Sequence, residues 1–202
     1  MSDVVPSAHA PVLAVLAATT TPLTGRKIAE LTQPRVSQAR VASILRELAA
    51  SGLVDRTPAG PALLFALNRQ HLAAPAVELL ASLRTQLWDR MIDDVQGWIQ
   101  TPDAVVVFGS TARGDGGSTS DIDVLVVRPA TVDEDDPEWH RDLTRFAARV
   151  TRWTGNACEL LDRSPQELAA MARNGERLLG EIRRDGRAVV GSLAAVPTPR
   201  AA

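Results

Sequence analysis

Two aspartates separated by one residue, Asp121 and Asp123, follow a glycine turn at Gly109-Ser110 within the stretch Val105–Val127. That stretch reads as an apolar strand, a tight turn, a polar Gly/Ser loop over 114–120 and a second apolar strand carrying the two acids. Successive side chains of a strand point to opposite faces, so Asp121 and Asp123 share one face while Ile122, Val124 and Val126 take the other and go to the core. Neighbouring carboxylates resist joint ionisation unless a cation compensates. A divalent ion such as Mg²⁺ does this with one or two carboxylates plus substrate phosphates. Gly109 lets a backbone approach closely, and Ser110 and Thr111 open a short helix whose free N–H groups favour an anion. Metal ligands and a phosphate cradle converge, which is the pattern of a nucleotide-handling site.

In this order, and between two apolar strands, the motif resembles the nucleotidyltransferase superfamily that includes DNA polymerase beta, its small prokaryotic members above all. The family pattern of strand, Gly-Ser, short gap and Asp-x-Asp within a strand is met by Gly109-Ser110, the gap 111–120 and Asp121-Ile122-Asp123. Arg113, Gly114 and Ser120 also match the small members, and the resemblance extends over 101–191. It implies a nucleotide site of Gly109, Ser110, Thr111, Arg113 and Ser120, with Asp121 and Asp123 as catalytic metal ligands for Mg²⁺ or Mn²⁺. The implied reaction is attack of an acceptor hydroxyl on the α-phosphorus of an NTP, ATP first among them, with release of pyrophosphate. Arg113 either neutralises the outer phosphates or pins the loop to an acidic neighbour.

Family members usually carry a third acid on a later strand, which binds metal and helps deprotonate the attacking hydroxyl. After a helical pattern at 137–153, the turn Gly155-Asn156 leads into the strand Ala157–Leu161, whose only acid is Glu159. Glu159 is therefore the expected third catalytic and metal residue. Asp162 is its rival, but it stands just before Ser164, Pro165 and Glu167, a helix-start signature of N-cap, first-turn proline and capping-box acid.

The residues ahead of this motif suggest a second module. Val12, Leu13, Val15 and Leu16 mark a first short helix, and Ile28, Ala29 and Leu31 a second. Val41, Ile44, Leu45 and Leu48, at i, i+3, i+4 and i+7, mark a third between an N-cap at Ser37 and a C-cap at Gly52. Two strands about the breaker Pro58–Pro61 complete a hairpin. Three helices and a hairpin over 8–70 resemble a winged helix-turn-helix, and Val36–Leu48 is similar to the recognition helix of bacterial winged regulators. The resemblance implies DNA contact, with Gln38, Arg40 and Ser43 towards base edges and Arg26, Lys27, Arg35 and Arg56 on phosphates. Docking of a protein instead is the competing use of such a module.

The expected fold class is thus α/β (α+β), a winged helix followed by a polymerase-beta-like mixed sheet packed with helices at 101–191. Between them, 76–100 reads as one long helix with Val77, Leu79, Leu80, Leu83, Leu87, Met91, Val95 and Trp98 along a stripe, its charged residues lying off it. It stands as a rigid connector, a homodimer seam or the first helix of the catalytic layer. The Ala/Pro tail at 192–202 is expected to be disordered.

Composition narrows the classes. The 202 residues carry a net charge of −2, but 1–75 hold seven basic against four acidic side chains, so a front half at +3 precedes a remainder at −5. That split favours two modules with different partners. No apolar run approaches the ~20 residues of a membrane span, and the start lacks the pattern of a secretory signal. The single Cys158 excludes an internal disulfide, which fits a cytoplasmic protein.

Three functions remain open at this stage. One is transfer of an NMP, AMP by preference, to a protein or RNA hydroxyl, in the manner of toxin–antitoxin relatives. Another is a DNA-binding regulator whose transferase domain is a non-catalytic nucleotide sensor. The third, a small-molecule transferase of aminoglycoside type, needs a larger helical domain than the segment after Leu161 provides.

Overall fold

A computed structural model describes residues 7–114 and 120–200, so the Gly/Ser loop expected at 114–120 lies, at 115–119, outside the described residues. The chain divides into two units, one ending at Gln86 and the other beginning at Leu87.

The first unit runs α1 (His9–Ala17), β1 (Leu23–Thr24), α2 (Gly25–Leu31), α3 (Gln38–Ala50), β2 (Val54–Ala59), β3 (Ala62–Leu67) and α4 (Ala74–Ala81). Its sheet has the order β1-β3-β2 and is antiparallel throughout. Val12 and Leu16 of α1, Ile28 of α2, Val41, Ile44 and Leu45 of α3 and Phe65 of β3 close one core. The α3 start is fixed by Ser37, whose side chain accepts the Arg40 N–H. Its end is sealed by Gly52 N–H to Ala49 O and Leu53 N–H to Leu48 O, the paired bonds of a Schellman motif. The hairpin is tighter than the sequence suggests. Ala59 pairs with Ala62, so only Gly60-Pro61 turn the chain, and Gly60 takes φ +60° as a two-residue turn requires. Pro58 lies inside β2, and its missing N–H is tolerated because β2 is an edge strand.

The single helix expected over 76–100 is two helices, α4 and α5 (Leu83–Gln96), interrupted at Ser82. The Ser82 hydroxyl donates to the Leu79 carbonyl, a local bond that competes with the helical ladder. Leu79, counted in the apolar stripe, is exposed. Asp94, expected off the stripe, is buried, where it accepts from Trp98 Nε1 and pairs with Arg149.

The second unit continues with β4 (Ala104–Phe108), α6 (Gly109–Arg113), β5 (Ile122–Val127), α7 (Pro137–Thr154), β6 (Cys158–Arg163), α8 (Pro165–Arg173), α9 (Arg177–Asp185) and β7 (Arg187–Val190). The sheet order is β6-β5-β4-β7; β5 and β6 are parallel, the other pairs antiparallel. A parallel pair needs a long crossover, and α7 supplies it. Asp136 caps this helix by accepting the N–H groups of Glu138 and Trp139.

Helices cover both sheet faces. Val105, Val107, Val124 and Val126 pack on Met91 and Val95 of α5 and on Phe146 and Val150 of α7. Val106, Leu125 and Val127 pack on Leu168 of α8 and Leu179 and Ile182 of α9. The alternation expected for β5 therefore holds only at its start. Beyond Asp123 the acid-bearing face is also core, as the unbroken run Val124–Val127 of a two-sided strand requires. The tail at 192–202 is not disordered over its described part. Leu193–Ala195 form a 3-10 turn, Val196 is fully buried in the second core, and Arg200 N–H bonds the Ala172 carbonyl. Apolar side chains hidden in an Ala/Pro-rich segment are what composition failed to reveal.

Candidate active site

β4 delivers the chain to Gly109, which turns it at φ +67° into the short α6, and β5 returns alongside with Phe108 opposite Asp123. A Cβ on Gly109 would stand 2.4 Å from Asp123 Oδ2 and 3.4 Å from its Cγ. The Asp123 carboxylate thus lies directly against the backbone of the turn, an approach only glycine permits.

Asp121 stands exposed, one residue before β5. The entry to β5 is stitched to the start of β6: Asn156 Nδ2 donates to the Ser120 carbonyl at 2.7 Å, and Ile122 N–H donates to the Ala157 carbonyl at 2.8 Å. The parallel register then places Asp123 beside Glu159, which is exposed. Asp162 pairs with Val126 on the other face. There it meets Arg128 Nε at 3.2 Å and accepts from Trp139 Nε1 at 3.0 Å, so the rival acid is committed elsewhere.

Residues 86–179 match the family model for the nucleotidyltransferase domain. The second unit carries a nucleotidyltransferase domain. The chain is accordingly an enzyme of that class, whose chemistry is transfer of a nucleoside monophosphate. Among solved structures, one of a toxin–antitoxin with AMP-PNP is similar at 19% identity, over 53% of this chain and 75% of that one, with a TM-score of 0.38. The tri-AMPylated Shewanella oneidensis HEPN toxin in complex with MNT antitoxin is similar at 16% identity, over 55% and 75%, with a TM-score of 0.35. TrmBL2, an archaeal chromatin protein with a novel mode of DNA binding, gives 14% identity over 87% and 71%, with a TM-score of 0.26. These likenesses are too distant to bear on substrate or partner. No curated protein matches the chain.

In the nucleotidyltransferase domain, the Asp123 carboxyl is held above the usual carboxylate range by burial first, then by the charges of Asp121 and Glu159; Arg113 pulls it down. Three acids therefore share one electric field. Among the described residues no three His, Cys, Asp or Glu side chains converge tightly enough to cage a metal unaided. Carboxylate oxygens in this number would suit a hard divalent cation whose other positions are filled by water and phosphate. Cys158 is no rival nucleophile, because burial, then the charges of Glu159 and Asp123, push its thiol up to about 12.

Of the remaining nucleotide-site candidates, Ser110 and Thr111 lie half-buried on α6, and Arg113 ends it. Arg113 Nη1 stands 3.7 Å from Asp185 Oδ2. Asp185 in turn accepts from Arg184 Nε and Nη2 at 3.0 and 2.9 Å. Sequence reasoning missed two residues here. Asn156 read only as a turn former, and nothing in the sequence links Asp185 to a motif seventy-odd positions earlier.

In the first unit Arg26, Arg35, Ser37 and Gln38 line one shallow cleft together with Glu30. Arg40 is exposed on the first turn of α3, and Arg56 is exposed on β2. Arg26 and Lys27 both pair with Glu30, and Ser43, expected on the open face, is half-buried and donates to Glu47 at 3.0 Å. The i,i+4 spacing of Ser43 and Glu47 makes that bond local and easily met.

Proposed function

We propose that the chain is a metal-dependent nucleotidyltransferase that moves an NMP, AMP by preference, from an NTP to a hydroxyl of a macromolecular acceptor, protein or RNA. The observation that carries this reading is the contact of the Gly109 turn with Asp123, with Glu159 in register on the next strand. Asp121, Asp123 and Glu159 would hold Mg²⁺ or Mn²⁺, which when bound supplies positive charge to the transferred phosphoryl group. Ser110 and the backbone of the turn bind the outer phosphates, with Gly109, Thr111 and Ser120 shaping that site. Glu159 takes the proton of the attacking hydroxyl as the new O–P bond forms and pyrophosphate leaves. Asp121 and Glu159 are exposed, so the carboxylates are open to a bulky acceptor.

Incubation of the protein with α-labelled NTPs, Mg²⁺ or Mn²⁺ and cell lysate tests this. Label should pass to an acceptor, and Asp121→Ala or Asp123→Ala should abolish transfer. Absence of nucleotide binding by calorimetry with metal present would end the reading, and binding without turnover would favour a nucleotide sensor.

The first unit is read as a winged helix-turn-helix that contacts DNA. The cleft shared by Arg26, Arg35 and Gln38 beside the exposed Arg40 supports this. Arg40 and Gln38 suit base edges, while Arg35 and Arg56 suit phosphates. Failure of the protein to retard its own upstream DNA at low salt would turn this module towards protein docking.

A further inference from the structure

Asp121 stands just outside the ladders that hold β5. Pairing with β4 reaches Asp123 and pairing with β6 starts at Ile122, so the exposed acid lies beyond the paired positions. Its backbone is fixed all the same. A peptide group is planar, so the direction of the Asp121 Cα–Cβ bond follows from two rotations, one towards the peptide before it and one towards the peptide after it. The peptide before it carries the Ser120 carbonyl, which accepts from Asn156 Nδ2 at 2.7 Å. The peptide after it carries the Ile122 N–H, which donates to the Ala157 carbonyl at 2.8 Å. One dipeptide, Asn156-Ala157, therefore holds both planes that flank Asp121.

Asn156 is itself tied to the end of α7. Its N–H donates to Thr154 Oγ1 at 3.2 Å, and that hydroxyl donates to the Val150 carbonyl at 2.8 Å. Gly155, at φ +81°, closes the helix by donating its N–H to the Thr151 carbonyl at 2.8 Å. A chain of bonds thus runs from the last turn of α7 through the half-buried Asn156 to the peptide ahead of Asp121.

We propose that Asn156 is a positioning residue that aims the Asp121 carboxylate towards the metal position of the catalytic acids. This rests on the reading of Asp121, Asp123 and Glu159 as a metal site. Asp123 has its place from the strand, opposite Phe108 and beside Glu159. For Asp121 the bond at Ile122 fixes only the following peptide. Rotation about its own N–Cα bond is set by the preceding one, which Asn156 holds. The same turn begins β6, and Glu159 follows three residues after Asn156. The turn that sets the direction of the first acid therefore also leads into the strand that carries the third.

Groups that orient metal ligands from behind cost about 10- to 100-fold in metal affinity or activity when removed. Asn156 acts through the backbone, so the lower end, about tenfold, is expected. Calorimetry on the full chain with Mn²⁺ and ATP should show that loss in Asn156→Ala, with the fold retained by circular dichroism. In an Asp121→Ala background, Asn156→Ala should cause no further loss, because the carboxylate it aims is gone. A loss that persists there would assign the effect to a general disturbance of the β5–β6 entry and overturn the proposal. Unchanged affinity in Asn156→Ala would overturn it too. Asn156→Ser keeps a hydroxyl donor on a shorter arm and serves if the alanine variant does not fold. Its loss should be smaller and should likewise vanish without Asp121; any other result counts against the role. If the wild type binds no Mn²⁺ with ATP, the reading of the site fails and this role with it. If the wild type binds and the Asn156 variants bind equally well, only the positioning role falls.

Discussion

Gly109 and Asp123 are packed so closely that a methyl group on the first would occupy the space of a carboxylate oxygen on the second. The turn at φ +67° and the Asp123 carboxylate are therefore one unit and not two adjacent features. Gly109→Ala imposes both a disfavoured backbone conformation, costing about 1–2 kcal/mol, and displacement of the acid. Displacements of this size in catalytic groups cost on the order of 10²-fold in rate. The variant should fold, as checked by circular dichroism, and lose roughly that factor in kcat.

Glu159 should act on Asp123 through charge. A carboxyl whose folded value lies above its unfolded one favours folding while protonated, and loses that contribution as pH rises from the unfolded value through the folded one. Asp123 is such a group, raised by burial and by Asp121 and Glu159. Metal held by Asp123 would need the ionised form, so its binding should weaken as pH falls, sooner than for a carboxyl at its ordinary value. Glu159→Gln removes one raising charge and should move the Asp123 midpoint to lower pH, read by carboxyl NMR in metal-free protein. Turnover should collapse in the same variant while NTP affinity falls only slightly. An unmoved midpoint would show that the two acids do not share a field.

Val196 should matter to stability although it stands in an Ala/Pro tail. It is fully buried with Leu179 and Ile182. Val196→Ala removes two buried methyl groups and should cost about 1–3 kcal/mol in chemical denaturation. A variant as stable as wild type would mean that the segment leaves the core in solution.

On the first unit, Arg40→Ala should cost about 1–3 kcal/mol in DNA binding and relax preference at one base, whereas Arg56→Ala should weaken all sequences alike and flatten the salt slope. Retardation assays across a salt series separate the two. Arg26→Ala should have the smaller effect, because Arg26 is paired with Glu30.

Much of this arrangement was legible in the residues. The periodicity of Val41, Ile44, Leu45 and Leu48 and the serine at 37 give α3 with its start, and Ser164, Pro165 and Glu167 give the start of α8. The turn and the two aspartates stand out because glycine and paired acids between apolar strands have few purely structural uses. The break at Ser82 was not legible, since one serine in an apolar stripe does not announce an interrupted helix. Nor was the Asp185–Arg113 contact, because pairing between distant segments leaves no mark in local spacing. The side taken by Glu159 depended on register, which the sequence states only through its alternation with apolar neighbours.

The crossover through α7 has a consequence for how the site comes into being. Asp123 reaches the Gly109 turn by antiparallel pairing of β4 with β5, strands nearby in the chain, and Asp121 stands just before β5. Glu159 joins them only when β6 docks parallel to β5 after an 18-residue helix has been laid down. Non-local pairing of this kind is slow, because the entropy of closing the loop must be spent before any contact repays it. A nascent chain that has not yet paired β6 holds the turn and two acids but not the third. If Glu159 is the third acid of the proposed site, activity is in this sense a late event of folding, and an intermediate without β6 would lack it.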